Sequence, residues 1–246
     1  NINAINDAPT LFVPSSEQLF VMEDSSLAIT GIYVEDDAIE DPEAEIKVTL
    51  SLENGSVDFD TTGLTMTFGS GSDDVAAIFT GTVDSVNAAL GTIVYNAPEN
   101  FNGETSLSIT VNDQGFLGGG SALEASETLA ITVDPVNDAP IVSTTVDDVN
   151  VNEHDSFSVD LSNVFTDIDG DSLDITLAEY GVPLEYSSFL SDVSFENGQL
   201  TATGAYPGQT IITASASDGK GGMIDTTFEV NIADVNDAPE YIGSSL

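Results

Sequence analysis

The sequence predicts an all-β protein of two tandem antiparallel β-sandwiches, and three observations carry that prediction. The tetrapeptide NDAP occurs three times, beginning at Asn6, Asn137 and Asn236, so its copies bracket two domain-sized segments. Within each segment, short runs rich in Val, Ile, Thr and Phe alternate apolar with polar residues, the period of a half-buried strand. Gly, Asn, Asp and Ser separate those runs, as turns require. The division read from these marks is a linker over 1–9, a sandwich over 10–136, a second sandwich over 137–236 and a further linker over 237–246.

Taken in order, the first segment offers strands at 27–34, 46–52, 64–68, 75–81, 92–97, 106–111 and 129–133. About seven such strands suit a sandwich. One stretch departs from period two: DSVNAALGTI (84–93) places Val86, Ala89 and Leu90 at helical spacing and reads as one or two turns of helix, with Asp84 as its cap. The second segment offers FSVDL, LDITLA, VSFENGQLTATG, TIITASAS and TFEVNI. Asn54-Gly55 and Asn197-Gly198 are both the strongest short hairpin signal. FGSGSDDVA (68–76) reads as a hairpin loop, since a calcium β-roll turn needs stacked neighbours and no second copy exists. Each NDAP falls between the last strand of one segment and the first of the next. Its proline cannot continue a ladder, and it holds the preceding Ala extended.

Composition excludes several functions. Two basic residues, Lys47 and Lys220, face 43 acidic ones for a net charge of −41, which repels nucleic acid and anionic lipid. No apolar run is long enough to span a bilayer, so no membrane insertion is expected. No basic n-region with an apolar h-region opens the chain, and the start at NINAINDAP reads as an excerpt of a longer protein. Cysteine is absent, which removes disulfides and thiolate metal sites. His154 is the only histidine and cannot make a zinc site alone. With no Arg and two scattered Lys, anion-stabilising chemistry is poorly supplied, so the chain reads as non-catalytic. GFLGGGS (115–121) lacks the lysine of a phosphate cradle.

The acids recur in a parallel order. In the first segment they run Glu23-Asp24, then EDDAIEDPEAE (35–45), Asp113 in a Gly-containing turn, and Asp134 to Asp138. In the second they run Glu153, DIDGD (167–171), Asp218-Gly219 and the final NDAP. Each lies at a strand end. Oxygen-rich loops of this kind suit a hard cation, which takes six to eight oxygens. DIDGD is not an EF-hand, because Ser172 stands where that loop needs Gly and Ala178 where it needs Glu.

MEDSSLAITGI, DSVNAALGTIVYNAPENFNG and SITVND resemble a bacterial cadherin-like repeat of large secreted, RTX-type adhesins. FTDIDGDSLDITL, FENGQLTATG and ITASASDGKGG are similar to the dystroglycan-type cadherin-like domain. The resemblance implies an Ig/cadherin-like fold, a location at the bacterial cell surface, and Ca2+ held between successive repeats. It assigns Glu23, Asp36, Asp37 and Asp113 as ligands in the first segment, and Glu153, Asp167, Asp169 and Asp218 in the second. Asn137, Asp138, Asn236 and Asp237 are the linker ligands. Glu23, Asn137 and Asp138 would share ions with Asp167, Asp169 and Asp218. The partners so implied are neighbouring repeats of the same chain, and the function is a calcium-stiffened spacer. A second reading is a module that binds a glycan or a surface protein, with loop 115–121 and the insertion that lengthens the first segment as its candidates. A third is a scaffold whose acidity only reflects salt.

Overall fold

The computed structural model describes residues 6–15, 19–36, 44–115 and 121–236. Asp37, Asp237 and most of the 115–121 loop lie outside them. The chain forms two compact units, one ending at Val136 and the other beginning at Asn137.

The first unit contains β1 (Thr10–Phe12), β2 (Phe20–Met22), β3 (Ser26–Ala28), β4 (Tyr33–Glu35), β5 (Ile46–Leu52), β6 (Ser56–Asp58), β7 (Thr65–Phe68) and β8 (Ala76–Gly81). Helix α1 (Val83–Leu90), β9 (Val94–Asn96), β10 (Gly103–Asn112) and β11 (Glu124–Asp134) complete it. Sheet order β2-β11-β10-β5-β8-β7 makes one layer, β3-β9-β6 another, and β1 pairs with β4. Strand alternation builds the core: Leu107, Ile109 and Val111 of β10 are fully buried, between Ser106, Ser108 and Thr110, which stay outside. Each such apolar side chain contributes about 1.5–3 kcal/mol on burial. Inward residues of both sheets and of α1 meet in this one cluster.

Three expectations need correction here. The run 27–34 is two strands, β3 and β4, because the backbone breaks at Gly31 with φ +86°. The helix starts on Thr82, whose Oγ1 accepts the Ser85 N–H at 3.3 Å, while Asp84 sits in its first turn. Asn54-Gly55 is no hairpin: β5 and β6 belong to different sheets, and the turn carries the chain from one to the other. The reason is local packing. A Cβ on Gly55 would lie 2.5 Å from the Tyr95 ring, and Asn54 is tied by its N–H to Thr105 Oγ1 of β10.

The second unit contains β12 (Ile141–Val142), β13 (Val149–Asn152), β14 (Ser156–Asp160), β15 (Phe165–Thr166), β16 (Asp174–Glu179) and β17 (Val182–Pro183). A 3-10 turn (Leu184–Tyr186) leads to β18 (Leu190–Glu196), β19 (Gln199–Gly204), β20 (Gly208–Ser217) and β21 (Met223–Ala233). Its sheets are β13-β21-β20-β16-β17, β14-β19-β18 and β12-β15. Here the Asn-Gly signal holds: Asn197 (φ 52°) and Gly198 (φ 78°) form the two-residue turn joining β18 to β19. The buried Glu179 was not among the expected site residues. It accepts from Thr210 Oγ1 at 2.5 Å and from the Ser188 N–H at 3.0 Å.

Both units follow one plan. Each pairs its first strand with its fourth, and lays its second strand parallel to its last (β2 on β11, β13 on β21). The first unit is longer because β7, β8 and α1 are inserted between β6 and β9, where β18 turns directly into β19 in the second. FGSGSDDVA is the loop of that inserted hairpin, closed by Asp74 Oδ2 accepting the Ser70 and Gly71 N–H groups.

Candidate functional site

The acids singled out by the sequence fall at strand ends and hold the linkers. Glu23 follows β2 and is 2% exposed; its N–H donates to the Asp134 carbonyl at 2.9 Å. Its Oε1 accepts the Val136 N–H at 2.7 Å, and its buried Oε2 has no partner among the described residues. Glu153 repeats the arrangement in the second unit. It donates its N–H to the Ala233 carbonyl, and its Oε1 accepts the Val235 N–H at 2.8 Å. Val136 and Val235 are the residues immediately before NDAP. Each early Glu therefore fixes the backbone where the chain leaves its unit.

The Asp of each late turn does the matching job at the other end. Asp113, 1% exposed, accepts the Gly115 and Leu123 N–H groups on Oδ1 and the Asn6 side-chain amide on Oδ2 at 2.6 Å. Asp218 accepts the Lys220, Gly221 and Gly222 N–H groups on Oδ1, and the Asn137 amide on Oδ2 at 2.8 Å. Asn6 and Asn137 are the first residues of their NDAP copies. Hydrogen bonding to the charged form holds the Asp218 carboxyl below its ordinary value, with the Asn137 amide as the largest cause and the Lys220 N–H next. Asn6 was not among the expected site residues. The NDAP repeat was its available signal, since the same Asn was assigned in the other two copies.

DIDGD forms the loop between β15 and β16. Asp167 Oδ1 accepts the Asp169 and Asp171 N–H groups at 3.0 and 3.2 Å, folding the loop around its own first carboxylate. Asp169 Oδ2 accepts the Asp138 N–H at 2.8 Å, so the linker is held to this loop as well. One oxygen from each of Asp167, Asp169 and Asp171 lies within 4.8 Å of the others. Among the described residues, Asp167 Oδ2 and Asp171 Oδ2 are buried without partners. Lys220 Nζ sits 2.8 Å from Asp171 Oδ1, and that bond raises the lysine's pKa, with Asp171, Asp169 and Asp167 adding charge attraction. Asp171 and Lys220 were not expected site residues; only the pairing across two loops reveals them. The donors are all oxygen, which fits a hard divalent cation and not zinc.

Other expected positions are less gathered. Asp36 follows β4 and is half-buried, and Asn236 is exposed at the end of the described residues. His154 occupies a left-handed turn (φ 68°) after β13, its N–H bonded to the Gly204 carbonyl. Among the described residues no helix is long and apolar enough to cross a membrane.

Parts of this chain are similar to known proteins. Residues 137–231 match the model of a family described as Bacterial Ig domain. No curated protein matches. Among solved structures, the extracellular cadherin domains 1–5 of protocadherin gamma B2 are similar at 18% identity and a TM-score of 0.48, over 95% of this chain and 41% of that one. Domains EC3-6 of protocadherin gammaB7 give 18% identity and 0.46, over 94% of this chain and 52% of that one. The titin domains z1z2, solved with telethonin, give 17% and 0.35, over 95% and 100% of the two chains.

Proposed function

We propose that this chain is a non-catalytic, Ca2+-stabilised extender segment of a secreted bacterial surface adhesin, built from cadherin-like repeats, the second of dystroglycan type. The observation that carries this reading is the DIDGD loop: three carboxylates crowded within 4.8 Å, two with buried unpartnered oxygens, against one lysine. Three anions so placed repel one another, and an oxygen-loving divalent cation turns that repulsion into attraction. Asp138 is bonded to the same loop and Asn137 to the neighbouring Asp218, so a cation there stiffens the linker along with the loop. The cadherin-like repeat pattern supports the same reading, as does the charge of −41, which opposes compactness until something neutralises it.

Small-angle scattering with Ca2+ and with chelator tests the proposal. The expected result is a larger maximum dimension and a narrower spread of shapes with Ca2+; an unchanged profile refutes it. Calorimetric titration separates specific binding from adaptation to salt, because the latter gives neither heat nor a melting shift.

A further inference from the structure

The shared plan of the two units makes one difference conspicuous. In the first, the outer side of β5 is covered by β8, with Ile46–Ser51 paired to Ala76–Gly81 and the inward Ala77 and Phe79 fully buried. The corresponding strand of the second unit is β16. Lys47 stands opposite Asn112, just before Asp113, and Asp174 stands opposite Ser217, just before Asp218. By that register Val48 and Leu50 correspond to Ile175 and Leu177.

Among the described residues, the outer side of β16 is covered over two residues only, Ala178 and Glu179, by β17. The Tyr180-Gly181 turn sends the chain back, Pro183 has no N–H with which to extend the pairing, and the 3-10 turn carries the chain off the sheet. Among the described residues, Asp174–Leu177 pair with β20 alone. Beside this edge lies a predominantly apolar groove of about 300 Å3, lined by Leu177, Pro183, Leu184, Val193 and Phe195 with Thr176 and Glu185. Val193 and Phe195 belong to β18, the outermost strand of the facing sheet. The groove thus lies on the side of β16 that β8 occupies on β5, where Ala77 faces Leu50 and Phe79 faces Val48.

Charge narrows the occupant. Asp174 is on the edge, Glu185 on the groove and Glu196 at the end of β18, while Lys220, the unit's single basic residue, is bonded to Asp171. A second copy, as acidic as the first, is disfavoured at such an edge.

We propose that β16 is a strand-docking site for an extended, non-acidic segment of a partner polypeptide with apolar side chains at alternate positions. The segment adds antiparallel to Asp174–Leu177 as β8 adds to β5, and its inward side chains enter the groove. This site is independent of the DIDGD loop and stands without calcium.

The test uses the full chain, isotopically labelled, titrated with a synthetic lysine-flanked peptide of β8 sequence, AAIFTG. The expected result is saturable amide shifts at Asp174–Leu177 and Val193–Phe195 that weaken with salt. Replacing the peptide's second Ala by Pro, or its Phe by Asp, should weaken binding by roughly tenfold or more, through a lost ladder bond at the position of Ala77, which pairs with Leu50, or a charge in the groove. No saturable binding, shifts confined to other residues, or equal binding of the Pro peptide overturns the proposal. Concentration-dependent shifts at the same residues without peptide also overturn it, by assigning the edge to a second copy.

Discussion

Asp167→Asn should stabilise the second unit in chelator and cost it stability in Ca2+. The variant keeps Oδ1, so the bonds from the Asp169 and Asp171 N–H groups survive. It removes one charge from a triad whose oxygens lie within 4.8 Å. At that separation each like-charge pair costs about 1 kcal/mol in water-like surroundings and about 3.5 kcal/mol at an effective dielectric near 20. Asp167 takes part in two such pairs, and Lys220 already offsets part of the Asp171 charge at 2.8 Å. Because Asp169 is exposed, the water-like end applies, and the net relief is about 1–2 kcal/mol. For a domain of this size that corresponds to roughly 4–8 °C in melting temperature per kcal/mol. In Ca2+ the order should reverse on the proposed reading, since a wild-type unit that binds the ion would gain about 2.7 kcal/mol at a hundredfold excess over Kd and the variant less. Scanning calorimetry of both proteins in chelator and in Ca2+ reads this directly. Equal destabilisation of the variant in the two conditions would refute the reasoning, because it would make Asp167 a loop-forming residue with no cation to serve.

Thr210→Val leaves Glu179 Oε1 without its donor in a buried setting and should cost about 1.5–3 kcal/mol, seen as a lower urea midpoint at unchanged slope. Gly55→Ala puts a methyl 2.5 Å from the Tyr95 ring at φ +88° and should cost the first unit about 2–3 kcal/mol, measured by the same unfolding curves. Asn137→Ala should raise the Asp218 pKa toward the ordinary 3.8, followed by carbon-detected titration of its carboxyl. The folded value is depressed, so the Asp218 contribution to stability is present above about pH 3.8 and is lost as pH falls through the folded value. The variant should therefore lose less stability on acidification than the wild type.

Period-two alternation identified the long strands, since burying every second side chain is what a sandwich demands of β5, β10, β20 and β21. Short strands escaped. β12 and β15 are two residues each, and so few positions show no period. Asn-Gly marked a turn in both places, yet it formed a hairpin only at Asn197-Gly198. At Asn54-Gly55 the flanking strands find better partners in different sheets, which is tertiary pairing overriding a local preference. Among the candidate site residues, the matching places of Glu23 and Glu153, and of Asp113 and Asp218, were legible from their order along the chain. Asp171 was not singled out within DIDGD, because its pairing with Lys220 joins loops separated by five strands, β16 to β20.

The repeated NDAP acquires a reason that needs no ion. Its Asn closes onto the late-turn Asp of the unit it begins, as Asn6 does on Asp113 and Asn137 on Asp218. The residue before it is fixed by the early Glu of the unit it ends, as Val136 is by Glu23 and Val235 by Glu153. Protein groups thus hold the residues on either side of the motif, and a cation at the DIDGD carboxylates would add to them through Asp138, whose N–H is bonded to Asp169. Hydrogen exchange separates the two roles. Chelation should speed exchange at the Asp169 and Asp171 amides, which fold around the repelling Asp167, while leaving Gly221 and Gly222, bonded to Asp218, protected. If both groups lose protection together, the linker is organised by the ion and the Asn–Asp clasp is only its consequence.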